Sequence, residues 1–554
     1  MTSEPTLDLP DYEHSRAIAY RRDGLWGERT IGDELRHTAR RFADRTALVA
    51  PDTRLTYRDL DELTDSFAAG LLIATPLRPD DRLMVSAGNV PETVVAYYGA
   101  VKAGMLPVCT LPVHGQREIG LLAEHTGARG HVVQADFTGQ DLAELATQIG
   151  LDSVIALRGS VNGAVGYHEI LAAGATQQAR ARLAEVTIDP GGLVAFQLSG
   201  GTTGLPKVAP RRHREYAHNS AAWAAALNIN EHDVVMHALP IMHNAGIAAA
   251  MQPAHLVGAA FVLAPAADPE TITSTVQREA VTCIPLAPPA VVIRLLDHAA
   301  ATGARLTGVR RMYVGGQKLP LEVAVRIEPE LGVPCTQMFG MAEGMFLRTP
   351  PDAPEWVRQH TVGTPISPAD EVRVLEIGGD DEVADGELGE LACRGPYTIP
   401  GYYRAPAHNA STFTADGFYR TGDLAVRHIV DGHAYYSIEG RIKDVINRGA
   451  EKIHTEEVEE IVLRHPDVHA AALVAMPDPV LGERGCIFLV VEPAAAAPSV
   501  ADLGEFLRAQ GLAKYKWPER VEIIPELPLT NVGKVSKKQL RDRLAGPVAV
   551  EVAP

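Results

Sequence analysis

The chain reads as an α/β protein, with a large N-terminal α/β domain, a small β-barrel-like subdomain attached to it and a small α+β domain at the C-terminal end. Three observations predict this. From about residue 30 to 190, and again after residue 207, helix-like stretches alternate with short apolar runs. From about Glu371 the pattern turns β-rich, with runs at 372–377 and 389–394 separated by acidic, glycine-containing turns. At Gly440-Arg441 a charged connector opens a compact unit of about a hundred residues.

In chain order, helices are expected at 57–72 and 91–103, and strands at 82–86 and 130–133. Further strands are expected at 192–197, 233–239, 258–263, 282–286 and 311–314, where short apolar runs are bounded by turn residues. The runs at 372–377 and 389–394 read as a small barrel or meander. In the C-terminal unit, 456–463 and 500–510 read as helices, and 470–475 and 486–491 as strands. The expected division is 1–440 and 441–554.

With 554 residues the chain exceeds one ordinary core, and 46% apolar with 22% charged residues is a globular composition. A formal net charge of −18 argues against nucleic-acid partners and against an anionic membrane surface. The five cysteines, Cys109, Cys283, Cys335, Cys393 and Cys486, are dispersed and show no C-x-x-C spacing, which suits a reducing compartment and offers no zinc site. A polar N-terminus and the lack of a membrane-length apolar run give the expectation of a cytoplasmic protein.

The segment Leu198-Ser-Gly-Gly-Thr-Thr-Gly-Leu-Pro-Lys207 packs three glycines, three hydroxyls and a lysine directly after an apolar run. Such a loop presents N–H and O–H donors to phosphate oxygens. It is not a Walker loop, because Leu205-Pro206 precede the lysine and Val208 follows it. Nor is it a hydrolase nucleophile elbow, because Gln197 stands two before Ser199. Taken alone, a glycine-rich surface turn is an equal reading.

Five distant segments give the loop meaning: Tyr313-Val-Gly-Gly-Gln317, Gln337-Met-Phe-Gly-Met-Ala-Glu-Gly344, Tyr419-Arg-Thr-Gly-Asp-Leu424, Gly440-Arg-Ile-Lys-Asp444 and Leu529-Thr-Asn-Val-Gly-Lys534. In identity and order they resemble the ANL superfamily of adenylate-forming enzymes. Within it, Tyr20-Arg-Arg-Asp-Gly-Leu-Trp26, Pro240-Ile-Met-His-Asn244 and Ile446-Asn-Arg-Gly-Ala-Glu-Lys452 most resemble the stand-alone aryl-acid AMP ligases of the dihydroxybenzoate and salicylate type. That resemblance implies activation of a carboxylate with ATP and Mg²⁺, release of pyrophosphate, and transfer of the acyl group to a thiol.

The resemblance also implies a set of roles. Ser199, Gly200, Thr202, Thr203, Gly204 and Lys207 would grip the β- and γ-phosphates, and Glu343 would help hold Mg²⁺. Gly315, Gly316, Gln317, Gly340 and Met341 would line the adenine and acyl sites, and Asp423 and Arg441 would take the ribose. Lys534 would neutralise charge between the carboxylate and the α-phosphate, on a mobile domain hinged at Lys443. Gly449 and Ala450 would border the path of the incoming thiol, with alanine at 450 where relatives carry a second glycine.

His243, Asn244, Ala245, Ala249, Gly315 and Met338 would shape the acyl pocket. Asn244 stands where enzymes for α-amino acids usually carry an Asp, and so argues against an amino-acid substrate. Ala245 and Ala249 suggest a wider, less polar pocket that Met338 partly refills, suited to an aryl acid with an ortho hydroxyl or ring nitrogen and larger than benzoate. The acceptor is expected to be the phosphopantetheine arm of a separate carrier protein, with an aryl-CoA ligase as the alternative.

Overall fold

The computed structural model describes residues 9–199, 207–449, 451–493, 495–530 and 533–545. Two sheets build the large N-terminal domain. The first has seven strands, parallel except for its last pair, β1 (Leu193–Ser199) and β2 (Lys207–Arg212). These two run antiparallel with Ser199 opposite Lys207. β2 was not expected from the sequence. It leads into α1 (His213–Ala226).

The second sheet has nine strands, and its interior strands are parallel. Among them are β3 (Val234–His237), β4 (Arg311–Gly315) and β5 (Thr336–Met341), with β6 (Gly344–Arg348) turning back antiparallel to β5. Open parallel sheets bind ligands beyond the carboxyl ends of their strands. Here those ends carry His237, Gly315 and Met341.

Between β3 and the next strand the chain makes a π-helix, Ala245–Met251. Its second residue must be small, since a Cβ on Gly246 would lie 2.4 Å from the carbonyl oxygen of Ile241. The expected β-rich unit is a four-stranded antiparallel meander in chain order, ending in β7 (Tyr419–Val430) and β8 (His433–Arg441). The small C-terminal domain has a five-stranded sheet with helices Thr455–Val462 and Val500–Ala509. Most expected elements fall within a few residues of the observed ones; the helix expected at 57–72, for example, is Tyr57–Ala74, opened by a Thr56/Asp59 capping box. Among the described residues no helix is long and apolar enough to cross a membrane, and the five cysteines are free and buried.

One buried ion pair ties these pieces together. Arg211, at the end of β2, donates to both carboxylate oxygens of Glu215 on α1 at 2.8 and 2.7 Å. Its remaining donors reach the carbonyls of Ala342 in the β5–β6 turn at 2.8 Å and of Tyr397 in a separate loop at 3.1 Å, so it ties the two loops together. Both side chains are buried. Glu215→Ala should therefore cost about 3–5 kcal/mol, because it strands a buried guanidinium. Urea unfolding measures this; a loss under about 1 kcal/mol, the scale of an exposed pair, would contradict the assignment.

Candidate active site

The site is closed by a lysine from the small domain. The turn before Lys534 is tight: the Thr530 N–H donates to the Lys534 carbonyl at 2.6 Å, and the Lys534 N–H to the Thr530 hydroxyl at 3.1 Å. Gly533 permits it at φ +77°. Next in the chain, the Val535 N–H donates to Oε1 of Gln317 at 3.0 Å, a contact between the two domains. The Lys534 side chain runs over Gly316, where a Cβ would come 3.0 Å from its Cε. Gln317, expected to line the adenine and acyl sites, thus fastens the lysine turn, and Gly316 makes room for the lysine.

Burial pushes the Lys534 ammonium down to about 8, with Arg441 pushing the same way and Asp423 and Glu343 opposing. Asp423 and Arg441 face each other across the β7–β8 pair, and the Arg441 Nε donates to Asp423 at 2.9 Å. Burial raises the Asp423 carboxyl despite its cationic neighbours. Its backbone N–H is capped by the Thr421 hydroxyl at 3.0 Å, which aims the carboxylate into the cleft. Lys207, Lys534, Arg441, Asp423 and Glu343 therefore form one charged cluster drawn from three sheets and the small domain.

Glu343 sits in the turn between β5 and β6 and is buried, with its carbonyl receiving the Ile399 N–H at 2.8 Å. Tyr402 donates its hydroxyl to one Glu343 oxygen and shares a 2.9 Å contact with the Tyr419 hydroxyl. The Lys207 ammonium lies 5.2 Å over the Tyr402 ring. Among the described residues no cluster of three His, Cys, Asp or Glu side chains could hold a metal. A single hard carboxylate with one oxygen still free suits Mg²⁺ that arrives on phosphates, in place of an all-protein cage. Tyr402 and Tyr419 escaped sequence reasoning, because nothing in Gly401-Tyr-Tyr403 marks which ring meets the carboxylate.

On the acyl side, burial pushes His243 down to about 3, with Lys534 and His237 acting in the same direction. Its Nδ1 accepts from the Ala245 N–H at 3.3 Å, so the neutral ring carries its proton on Nε2. Asn244 is held on both sides: its Oδ1 accepts from Tyr216 at 2.8 Å, and its Nδ2 donates to the Met341 carbonyl at 3.1 Å. Gln197 donates to the same Tyr216 oxygen at 3.1 Å, so a chain of bonds links β1 through α1 to the pocket. One Asn244 N–H remains for a ligand.

The backbone at Ala249 is backed by α1. The Trp223 indole of α1 donates to the Ala249 carbonyl at 2.8 Å and packs 5.3 Å from Phe346 and 5.6 Å from Tyr313. Trp223 and Ala249 belong to one buried cluster. Met338 contributes as well, since a Cβ on Gly315 would meet its sulfur at 2.7 Å and one on Gly340 its methyl at 3.1 Å. Neither Tyr216 nor Trp223 was singled out from the sequence, where α1 reads as an alanine-rich helix.

Other expected residues are placed as follows. Ser199 ends β1 beside Tyr402, while Gly200, Thr202, Thr203, Gly204 and Ala450 lie outside the described residues. Lys443 occupies a 3-10 turn, Ile442–Asp444, directly after Arg441. Gly449 has φ +62° and donates to the Leu481 carbonyl at 2.7 Å. Lys537 and Lys538 separate cleanly from Lys534: Lys537 is bound to Glu456 and Glu459, and Lys538 pairs with Asp542 at the surface.

The depressed Lys534 makes a signed prediction. Closing the site around an amine of ordinary pKa 10.5 favours the neutral form, so the ammonium is retained below about 8 and lost above it. The kcat/KM of pyrophosphate exchange should accordingly fall about tenfold per pH unit on the alkaline side of about 8, and Lys534→Arg should move that limb out of range. A limb unmoved by the substitution would assign it to another group.

Comparison with known proteins accords with this arrangement. The AMP-binding enzyme profile matches residues 35–403, and that of the AMP-binding enzyme C-terminal domain matches residues 457–534. The chain is 40% identical to the 2,3-dihydroxybenzoate-AMP ligase of Bacillus subtilis, covering 96% of each. It is 36% identical to the salicyl-AMP ligase / salicyl-S-ArCP synthetase of Mycobacterium tuberculosis, covering 97% of this chain and 95% of that one. The solved apo structure of Mycobacterium smegmatis MbtA is 35% identical and superposes with a TM-score of 0.73, covering 97% and 99% of the two chains. With both profiles in order and near full-length relatives at this identity, the chain belongs to the AMP-binding enzymes of the adenylate-forming ANL superfamily.

Proposed function

We propose that the protein activates an aryl carboxylic acid with ATP to give aryl-AMP and pyrophosphate, then passes the aryl group to the phosphopantetheine thiol of a separate carrier protein, as in nonribosomal peptide or siderophore-type assembly. The observation that carries the reading is Lys534, delivered by the small domain into a cleft that already holds Asp423, Arg441, Lys207 and Glu343.

The chemical difficulty is that a carboxylate must attack a phosphorus atom surrounded by negative oxygens. A carboxylate oxygen bonds to the α-phosphorus, the bond to the β-phosphate bridging oxygen breaks, and pyrophosphate leaves. Lys534 answers the charge developing between carboxylate and α-phosphate, and each well-placed donor of this kind is worth about 3–4 kcal/mol. Lys207, beside Tyr402, faces the departing pyrophosphate. Asp423 accepts from the ribose hydroxyls while Arg441 keeps it ionised and aimed. Neutral His243 offers its Nε2–H to the carboxylate, and the free Asn244 N–H offers a bond to an ortho substituent. When bound, Mg²⁺ neutralises phosphate charge and polarises the reacting phosphoryl group. Glu343 would hold it through the oxygen that Tyr402 leaves free.

In the second half-reaction the thiol sulfur attacks the acyl carbon, the carbon–oxygen bond to AMP breaks, and the thiol proton goes to solvent. Lys534 blocks the cleft in this arrangement, so the small domain must swing about Lys443. The contacts that would part are few and polar: Gln317 with Val535, Lys318 with Glu460 at 3.2 Å, Glu322 with Arg464 at 2.9 Å and Asp297 with His469 at 3.6 Å. These contacts are half-buried at the domain boundary, and ion pairs near solvent hold weakly, each about 0–1 kcal/mol, which suits a domain that must let go.

Lys534→Ala is expected to lower aryl-AMP formation by about 10²–10³-fold or more while leaving thioester formation from pre-made aryl-AMP within a few-fold of wild type. Equal losses in both halves would refute the two-position mechanism. The acceptor is tested by supplying wild-type enzyme, ATP and acid with either a phosphopantetheinylated aryl carrier protein or free CoA. Faster thioester formation on the carrier is expected, and efficient turnover with CoA alone would contradict it.

A further inference from the structure

We propose that Asn89 is a positioning residue for adenylation: its side chain holds the loop that carries His243 and Asn244 in place against the turn that delivers Lys534. The proposal rests on the aryl-acid reading above and names the residue that sets its acyl side.

Asn89 belongs to the seven-stranded sheet, in the short link between the strand Arg82–Ser86 and the helix Pro91–Lys102. That link is itself fixed. The Gly88 N–H donates to the Gln134 side chain at 3.0 Å, and the Gly88 carbonyl accepts from the Thr93 hydroxyl and from the Val90 N–H, both at 2.9 Å. From this base the Asn89 carboxamide crosses to the nine-stranded sheet and makes three bonds there, each 2.9 Å long. Its Nδ2 donates to the carbonyls of Leu239 and Ala264, and its Oδ1 accepts from the Ile241 N–H. Both N–H groups and the carbonyl of the amide are thus in use.

Leu239 and Ala264 lie just past the carboxyl ends of two neighbouring parallel strands, β3 and Ala260–Leu263. The chain has left the ladder there, and its backbone groups need other partners. The segment from Leu239 to Ile241 leads directly into the acyl residues. The His243 N–H donates to the Pro240 carbonyl at 3.1 Å, the Gly246 N–H to the His243 carbonyl at 2.9 Å, and Gly246 packs against the Ile241 carbonyl. On its other side the segment backs the lysine turn: a Cβ on Gly533 would lie 4.0 Å from Cδ2 of Leu239 and 3.6 Å from Cγ of Pro288. One asparagine therefore fixes a stretch of chain that reaches the acyl residues at one end and the Lys534 turn at the other. Lys207, Glu343 and Asp423 ride on other elements, so loosening this stretch falls on the acid rather than on ATP. Misplacement of a reacting group by about 1 Å can cost on the order of 100-fold in rate.

Pyrophosphate exchange and thermal unfolding are measured for wild type, Asn89→Ala and Asn89→Asp, with the acid that wild type turns over best among 2-hydroxybenzoate, 2,3-dihydroxybenzoate, picolinate and quinoxaline-2-carboxylate. A single-turnover pyrophosphate burst counts the active sites. In both variants the KM for the acid should rise about 10- to 100-fold while the KM for ATP stays within about threefold. Aspartate should do at least as much harm as alanine, because it keeps the volume but turns the donors into an acceptor facing two carbonyls. Equal shifts in the two KM values, or a loss that vanishes once active sites are counted, would make Asn89 a part of the fold only and overturns the proposal. An unchanged acid KM in a folded variant overturns it too, as does failure of both variants to fold. Absence of exchange with every acid in wild type would instead defeat the aryl-acid reading itself.

Discussion

A lysine ammonium removed from water costs several kcal/mol unless anions meet it, and the site is organised around that constraint at Lys534. Asp423 and Glu343 face it, but Arg441 stands beside Asp423 and offsets part of their effect, so the ammonium is left at about 8 instead of near 10.5. The protein's own anions do not fully compensate this cation. The remainder matches what an ATP phosphate and a substrate carboxylate would bring. On the proposed mechanism, a lysine balanced in this way would be stable in the cleft while the substrates are there and would be withdrawn once the adenylate has formed and pyrophosphate has gone.

Much of the surrounding structure serves that placement. Gly316 clears the path of the lysine, Gln317 holds its turn, and the β7–β8 pairing sets Asp423 against Arg441. Arg211 reaches from the other sheet to bind the backbone of Ala342, next to Glu343, and that of Tyr397 in a separate loop. Tyr402 bridges Glu343 and Lys207, touching the first with its hydroxyl and the second with its ring. These supports are buried, while the ion pairs between the two domains lie nearer to solvent.

The parts of the site that could be read from the sequence are those whose chemistry is local. Glycine clusters, the order of the six motifs and the strand and helix periodicities announce themselves over a few residues, and they led to Lys207, Glu343, Asp423 and Lys534. What depended on packing across the fold was hidden. β2 follows a loop rich in turn residues, and the π-helix lies in an alanine run that carries no periodic signal of its own. Tyr216 and Trp223 of α1 stand among alanines, and only the tertiary structure shows that they are buried and bond to Asn244 and Ala249.

The central claim is that one position of the small domain adenylates and a different one transfers. It is tested most directly by locking the first. Glu322 and Arg464 meet at 2.9 Å across the two domains and away from the chemistry. Glu322→Cys with Arg464→Cys, joined by a short bismaleimide, would hold the domains as they stand here. The account predicts that the cross-linked enzyme releases pyrophosphate and forms aryl-AMP in a single turnover at close to the unlinked rate, and forms no thioester on the carrier protein. Transfer by the linked enzyme at the unlinked rate would contradict it.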